Sequence, residues 1–501
     1  MSWLADKFLQ HCAAVESVQA IADVLDSETA SVADEAADGS DGCKTPVDEP
    51  LRLLAGYRVD SATGLLIRDD AFATNWEPMH VRQGERVTWP KGRPCQIWVY
   101  TQVIDEMLVH TYCYAPEDNW TSFQPGLSQP MSREGMWTAP QDCFVRVTAQ
   151  LHAGSCGSLV DEIENGTSGN APVEGSAADG DMADAVESVL IKRLPAACEE
   201  PLPCFIEERS RVAERTRALQ KPGDLVFLLV SDIHYATGCP WPDTARNLQA
   251  VAKALQPDAV VQLGDLTDGV APKHVTLSMA KRVLVDLSAC GVPVLGCVGN
   301  HDWNRFRLNV DGLDSGECAR RYLGRETPWY AVDFPDQGIR ALFLDSFDPD
   351  ECERYGFPRR MLRWVRSTLA GTPQGWGVLV FSHVPPLPAI HYWSNTIRNG
   401  DRLMQILERF DARRSGAVLA FVHGHNHADQ VFSKKAFPIV SIGCAKLEDF
   451  QDRKPVGAIT QKRALGTVSQ DLWDVMVVHP DLRSIDFVRF GAGDDRQVGR
   501  A

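Results

Sequence analysis

Carboxylates, imidazoles and one amide stand where apolar runs end in the second half of this chain. Leu225 to Val230 leads into Asp232-x-His234, and Ala259 to Leu263 leads into Gly264-Asp265-Leu-Thr-Asp268. Val292 to Val298 leads into Gly299-Asn300-His301-Asp302, and Val378 to Phe381 into Ser382-His383. Ala417 to Val422 leads into His423-Gly424-His425-Asn426-His427. These are hard-to-borderline oxygen and nitrogen donors with no thiolate, a set that suits Mn²⁺, Fe or Zn²⁺. A carboxylate from the middle of the series can bridge two cations. Two metals about 3.5–4 Å apart can share a hydroxide and clamp a phosphoryl group. Gly264, Gly299 and Gly424 beside the donors let backbone come close or adopt positive φ.

The elements that must position these groups follow from the runs themselves. Continuous apolar runs of this length read as strands buried on both faces. Extending the first strand to His234 gives Asp232 and His234 the same direction, because side chains alternate with period two. Helical spacing lies between the runs, at Asp243 to Leu255 and His274 to Ser288, with a further helix over 205–220 carrying a Glu207/Arg211 pair. Strand, ligand and helix in repetition predict an α/β layered fold with ligands gathered on one rim, at the carboxyl ends of the strands.

Taken together, D-x-H, G-D-x-x-D, G-N-H-D, a strand-end His and G-H-x-H, in this order, resemble the calcineurin-like metallophosphoesterase superfamily over about 220–450. The resemblance implies a layered β-sandwich flanked by helices. It implies that Asp232, His234, Asp265 and His427 hold one divalent metal, and that Asp265, Asn300, His383 and His425 hold the other, with Asp265 bridging. His301 is then a general acid or phosphate stabiliser, and Asp302 orients it through its other ring nitrogen. The implied reaction is phosphoester hydrolysis by a hydroxide shared between the metals, with a diester favoured over a monoester. Asp268 reads as a loop residue or a support to the ligands, and His423 as a plain strand-end residue. Tyr235, Asn304, Arg305, His391, Tyr392 and Trp393 follow rim motifs and are either substrate contacts or loop packing.

The rest of the chain reads as separate parts. The catalytic domain is expected over 200–495, with late strands at Trp473 to Val478 and Ser484 to Phe490, a turn at His479, and a terminal loop ending near Arg496. Residues 1–49 hold a helix with apolar spacing from Leu4 to Leu25, a candidate oligomerising or docking element, followed by an acidic disordered segment. Residues 50–153 show short alternating strands, including Gln96 to Val103, Met107 to Tyr114 and Phe144 to Leu151, and predict a small all-β sandwich. This module is similar to those preceding catalytic domains in some bacterial and prophage hydrolases. Its aromatics Trp76, Trp89, Trp98, Tyr100, Trp120 and Trp137 are expected mainly as core, with a sugar-stacking platform as the other use. His110 and His152 have no partners at ligand spacing. Residues 154–199 read as an acidic linker.

Charge and cysteine bound the partners. The net charge is −17 over 501 residues, but sixteen acids lie in two stretches without Lys or Arg, between Lys7 and Lys44 and between Arg146 and Lys192. The remainder is near neutral, so nucleic-acid binding, and with it a nuclease, is not expected. Fourteen cysteines without C-x-x-C spacing predict reduced thiols. With no signal peptide and no apolar span, a cytoplasmic protein without a membrane partner is expected, a virion-associated or released location staying open. The competing reading is a virion or cell-surface binding protein whose β-module takes a glycan or protein partner.

Overall fold

The computed structural model describes residues 47–499 apart from 52, 61–65, 76–77, 82, 104–120, 124–128, 141–142, 152–189, 194–201, 236–239, 270, 306–311, 348–354, 416 and 448–456. The expected N-terminal helix, the strand at Met107 to Tyr114, Trp76, Trp120, His110, His152 and most of the expected linker lie outside the described residues. What is described forms two compact units. No helix among the described residues is long and apolar enough to cross a membrane, and no disulfide is seen among the described cysteines.

The first unit is all β. Its strands are β1 (Val47–Pro50), β2 (Leu54–Val59), β3 (Leu66–Thr74), β4 (Met79–Val81), β5 (Arg86–Thr88), β6 (Cys95–Val103), β7 (Thr121–Phe123), β8 (Gln129–Ser132), β9 (Met136–Thr138), β10 (Cys143–Gln150) and β11 (Leu190–Arg193). One sheet runs β1-β11-β5-β9 and the other β2-β3-β10-β6-β7, with β4 on β10 and β8 on β6. The alternation of β10 places Val145, Val147 and Ala149 in a core with Ile97 and Val99. Its opposite face is covered too: Thr148 accepts from Trp98 Nε1 at 2.9 Å and shares a hydrogen with Thr74. Trp89, Trp98 and Tyr100 are buried, so these three serve packing and are not a sugar platform. The expected linker is shortened at its end, because β11 lies between β1 and β5. Four residues whose partners are roughly 100 to 145 positions away leave no readable period.

The second unit holds α1 (Pro203–Leu219), β12 (Leu225–Val230), α2 (Trp241–Leu255), β13 (Ala259–Gln262), α3 (Lys273–Ser288), β14 (Val294–Gly296), α4 (Ser315–Leu323), β15 (Tyr330–Phe334), β16 (Ile339–Leu344), α5 (Arg359–Ala370), β17 (Gly377–Ser382), α6 (Gly400–Arg413), β18 (Val418–His423), β19 (Gln430–Phe432), β20 (Ile439–Ser441), β21 (Leu472–His479), β22 (Ser484–Gly491) and β23 (Arg496–Gly499). Two six-stranded sheets result, β14-β13-β12-β21-β22-β23 and β15-β16-β17-β18-β20-β19. They share one core: Leu225, Phe227 and Leu229 of β12 meet Phe343, Phe381 and Leu419 of the other sheet. Phe227 meets Phe381 edge-on at 6.2 Å, and Phe381 stacks on Phe343 at 5.1 Å. Burying each ring stabilises by roughly 2–3 kcal/mol. Val226, Leu228 and Val230 are buried on the outer face, and helices cover these faces, α1 over β21 and β22 and α6 over β18. In α1, Arg211 pairs with Glu208 at 2.8 Å, three residues away rather than with Glu207, because Glu208 also accepts from Gly491 N.

The unit closes later than 495. β23 pairs with β22 through Gly499, so the expected terminal loop contains a further strand. His479 is not a turn residue but the end of β21, buried between Asp224 at 2.7 Å and Asp486 at 2.8 Å. Arg489 of β22 is buried and grips two carboxylates, Asp429 at 2.7 Å and Asp474 at 2.9 Å. Arg496 of β23 reaches the same two acids.

Candidate metal centre

Strands β12, β13 and β14 run parallel in one sheet, as do β16, β17 and β18 in the other. Their carboxyl ends therefore share a rim, and the donors meet there. The strands stop short of the donors, however. β12 ends at Val230, and Asp232 and His234 sit beyond it with φ of 52° and 46°. Period two does not align them; two left-handed residues do. Asp265, His425 and His427 are left-handed as well, with φ of 56°, 67° and 50°. Such backbone costs of order 1–3 kcal/mol per residue and persists only where the surroundings fix it. Here Asp232 N–H donates to Gly264 O at 3.1 Å and His234 N–H to Asp265 O at 2.9 Å. Asp232 in turn accepts the His425 N–H at 2.9 Å.

Every candidate ligand is buried, and the polar atoms converge. Asp232, His234, Asp265 and His427 bring donor atoms within 4.8 Å of one another, and so do Asp265, His383 and His425. Asp265 belongs to both groups. His383 Nε2 lies 3.0 Å from Asn300 Oδ1, 3.1 Å from Asp265 Oδ2 and 3.1 Å from His425 Nδ1. His427 Nε2 lies 3.2 Å from Asp232 Oδ1 and 3.2 Å from His234 Nε2.

One shared hydrogen cannot satisfy so many lone pairs at once. Ligands about 2.1 Å from a cation have neighbours about 3 Å away in octahedral geometry, so the spacing fits metal ions. The far ring nitrogens agree. His383 Nδ1–H donates to Leu263 O at 2.8 Å and His234 Nδ1–H to Asp268 Oδ1 at 2.7 Å. Each bond turns the Nε2 lone pair inward, as a ligating imidazole requires. Asp268 thus supports His234, and Lys446 Nζ stands 3.4 Å from the same oxygen.

Burial, aided by Lys446, pulls His234 down to about 3, and burial holds His425 well below the usual range. Both are neutral, as metal ligands must be. Burial works against the charge on Asp265, but the His383 and His301 imidazoles hold it well below the usual carboxylate range. Burial lowers His383, yet the Asp265 and Asp232 carboxylates outweigh it and lift the ring to about 9.

Asp302 has another job than the expected one. Its carboxylate accepts the backbone N–H groups of Asp265 at 2.9 Å, Leu266 at 2.8 Å and Gly299 at 2.8 Å. It therefore binds two ligand loops together and does not orient His301. That ring is held by Asp268, whose carbonyl accepts from Nδ1 at 2.5 Å. A carboxylate flanked by three unpaired amides is drawn to them before a ring nitrogen that a carbonyl already serves.

The glycines behave as expected, because the loops touch. A Cβ on Gly299 would stand 2.1 Å from Asp265 Oδ1, and one on Gly424 1.9 Å from Ser231 Oγ and 2.5 Å from Asp232 Oδ2. Gly424→Ala should push Asp232 out of place and weaken metal binding by about 10–100-fold. Calorimetric titration with Mn²⁺ checks this, and an unchanged affinity would refute the packing argument.

The remaining candidates sort by burial. Asn304 is internal, accepting from Thr276 Oγ1 and donating to Ala271 O. Arg305 donates to Leu313 O, and Tyr235 is buried. His391 is buried and stacks on His425 at 4.9 Å, whereas Tyr392 and Trp393 are half-buried at the rim. His423 is a buried strand end whose Nδ1 meets Gly424 O at 2.9 Å. Sequence reading missed Lys446 and Arg463. Arg463 holds the carbonyls of Cys444 and Lys446, and Lys446 N–H in turn donates to Asp232 O at 3.0 Å. Neither residue carries a spacing signal.

Residues 225–429 match the family model for calcineurin-like phosphoesterases, in keeping with the rim donors and the two facing sheets. The chain is 30% identical over 195 residues to a probable cyclic nucleotide phosphodiesterase of Rhodococcus erythropolis, covering 38% of this chain and 58% of that protein. It is 31% identical over 228 residues to a cAMP/cGMP dual specificity phosphodiesterase of Mycobacterium tuberculosis, covering 42% and 65%. A manganese-dependent ADP-ribose/CDP-alcohol diphosphatase of Arabidopsis thaliana is 26% identical over 212 residues, covering 34% and 66%. The chain thus spans less than two thirds of the length of these relatives.

Proposed function

We propose that the chain is a two-metal phosphodiesterase. The observation that carries this is the double membership of Asp265, whose carboxylate lies among both groups of donors. Asp232, His234, Asp265 and His427 would hold one cation, and Asp265, Asn300, His383 and His425 the other. Manganese is the first metal to test, since one relative is named as manganese-dependent. Bound divalent cations would supply Lewis acidity to the phosphoryl oxygens and lower the pKa of a water.

The chain's residues do the rest. Asp268 keeps the His234 lone pair turned inward and holds His301 by its carbonyl. With Nδ1 committed to that carbonyl, His301 meets a substrate through Nε2. Burial lowers the ring to about 4, so a phosphate anion beside it is needed before Nε2 carries a proton to a leaving oxygen. The complete ligand set supports catalysis over a purely structural role for the domain. Relatives named as cyclic nucleotide phosphodiesterases support a diester substrate.

The test is bis-p-nitrophenyl phosphate against p-nitrophenyl phosphate. The Mn²⁺-loaded chain should favour the diester, lose activity on chelation and regain it with Mn²⁺. Metal at a hundred times its dissociation constant should also add about 2.7 kcal/mol of stability, read as a rise in melting temperature. Cleavage of neither ester, with no metal bound, would remove the proposal.

A further inference from the structure

α1 packs on α2, and α2 on α3. Where they meet lies a cleft of about 520 Å³, lined by Arg209, Arg246, Gln249, Lys253 and Gln256, with Ala289 to Gly291 as a further wall. Three cations line it and no carboxylate does. The cleft sits at the end of the strands opposite the metal ligands. α2 ends at Leu255, just before β13 begins at Ala259, and α3 ends at Ser288, just before β14 begins at Val294. The ligands follow the carboxyl ends of those same strands, so the length of β13 alone, roughly 13 Å at about 3.3 Å per residue, stands between the two places.

Arg209 is half-buried and firmly held. Its Nε–H donates to Asn247 Oδ1 at 2.8 Å. Asn247 is fully buried, and its Nδ2 donates to Asp471 Oδ2 at 2.6 Å. The two terminal nitrogens of Arg209 meet no hydrogen-bond acceptor among the described residues, and they are what the side chain offers to the cleft. Arg246 pairs with Asp243. Burial and then the Arg246 charge lower the Arg209 guanidinium, against Asp471 and Asp243. An anion between the two guanidinium groups would relieve that repulsion. Lys253 makes no ion pair among the described residues. Its charge is not needed to serve the last carbonyls of α2. Ala252 O accepts from Gln256 N at 2.8 Å, Lys253 O from Gln256 Nε2 at 3.1 Å and Ala254 O from Arg217 at 2.8 Å.

We propose that this cleft is a second ligand site, which takes a phosphomonoester dianion with its phosphate on Arg209 and Lys253 and its organic group against Gln249, Gln256 and Ala289. A guanidinium whose Nε is already committed still presents paired N–H groups to the oxygens of a phosphate. Three positive charges favour two negative charges over one. The volume falls in the range of about 300–1,000 Å³ of small-molecule sites and exceeds what a bare phosphate fills. The cleft shares no residue with the metal centre, so its ligand does not depend on the phosphodiesterase reading.

The experiment is a calorimetric titration of the full chain, freed of metal by a chelator, with glycerol 2-phosphate. One site per chain should bind it. Arg209→Gln should weaken binding about 10–100-fold, the worth of a hydrogen bond to a charged group. Lys253→Gln, at an exposed position where the fold has nothing to lose, should weaken it about 5–10-fold. Dimethyl phosphate, which carries one negative charge fewer, should bind at least about 10-fold more weakly than glycerol 2-phosphate. His383→Ala should leave binding unchanged, because that side chain belongs to the metal centre. No binding of glycerol 2-phosphate overturns the site. So does an unchanged affinity in both Arg209→Gln and Lys253→Gln. Loss of binding in His383→Ala but in neither cleft variant would place the anion at the metal centre and overturn it as well. Equal affinity for dimethyl phosphate overturns the choice of a dianion.

Discussion

Asp265→Asn should reduce hydrolysis of bis-p-nitrophenyl phosphate by at least about 10³-fold, since a bridging ligand contributes several kcal/mol and each 1.4 kcal/mol is tenfold. The substitution keeps shape and removes charge. His301 N–H donates to Asp265 Oδ1 at 2.8 Å, and an amide oxygen accepts that bond equally well. The loops should therefore stay in place, but the charge that the His383 and His301 imidazoles favour is lost, so the melting temperature without metal should fall. Relief of the repulsion between Asp265 and Asp232 offsets only part of that loss. Metal content by mass spectrometry should drop below two per chain. Full activity with two metals retained would show that Asp265 is not the bridge.

The second large effect lies away from the metal ligands. Arg489→Leu leaves Asp429 and Asp474 buried with a single cation, Arg496, reaching them. Losing one partner of a buried ionic cluster costs about 3–5 kcal/mol, which lowers the melting temperature by roughly 10 °C for a domain of this size. Replacing both acids as well, in Arg489→Leu with Asp429→Asn and Asp474→Asn, should recover much of the loss, because the penalty comes from charge left unpaired. A thermal melt of the full chain decides it. A shift under about 2 °C in the single variant would mean that Arg496 alone balances both acids.

The ligands were legible because each one is written beside its neighbours. A short motif at the end of an apolar run carries its own chemistry, and Gly299 and Gly424 mark where loops press together. The strands were legible for the same reason, since period and apolarity are local. The supports were less so. Asp302 lies within a readable motif, yet its partners are backbone amides, and nothing in G-N-H-D says which amides lack an acceptor. Lys446 and Arg463 come from a stretch without periodicity, and they act on Asp268 and on carbonyls. Arg489 left a clue that went unused: a cation inside the apolar run of β22 must find carboxylates in the interior. The left-handed backbone at Asp232 and His234 had no signal, because neither residue type demands it and the loops around them impose it.

The order of the sheet sets a timetable. β12 carries the first donors at its end, yet one of its edges pairs with β21, made some 250 residues later, and the grip on Asp429 comes from β22 and β23. At roughly 5–20 residues per second, a ribosome needs about 12–50 s to travel that distance. Throughout that interval the β21-facing edge of the first strand is unpaired and offers its bare backbone to any passing strand. The half of the site translated first is thus the half that waits longest, and the nascent chain secures its His425–His427 loop only when the final hairpin emerges.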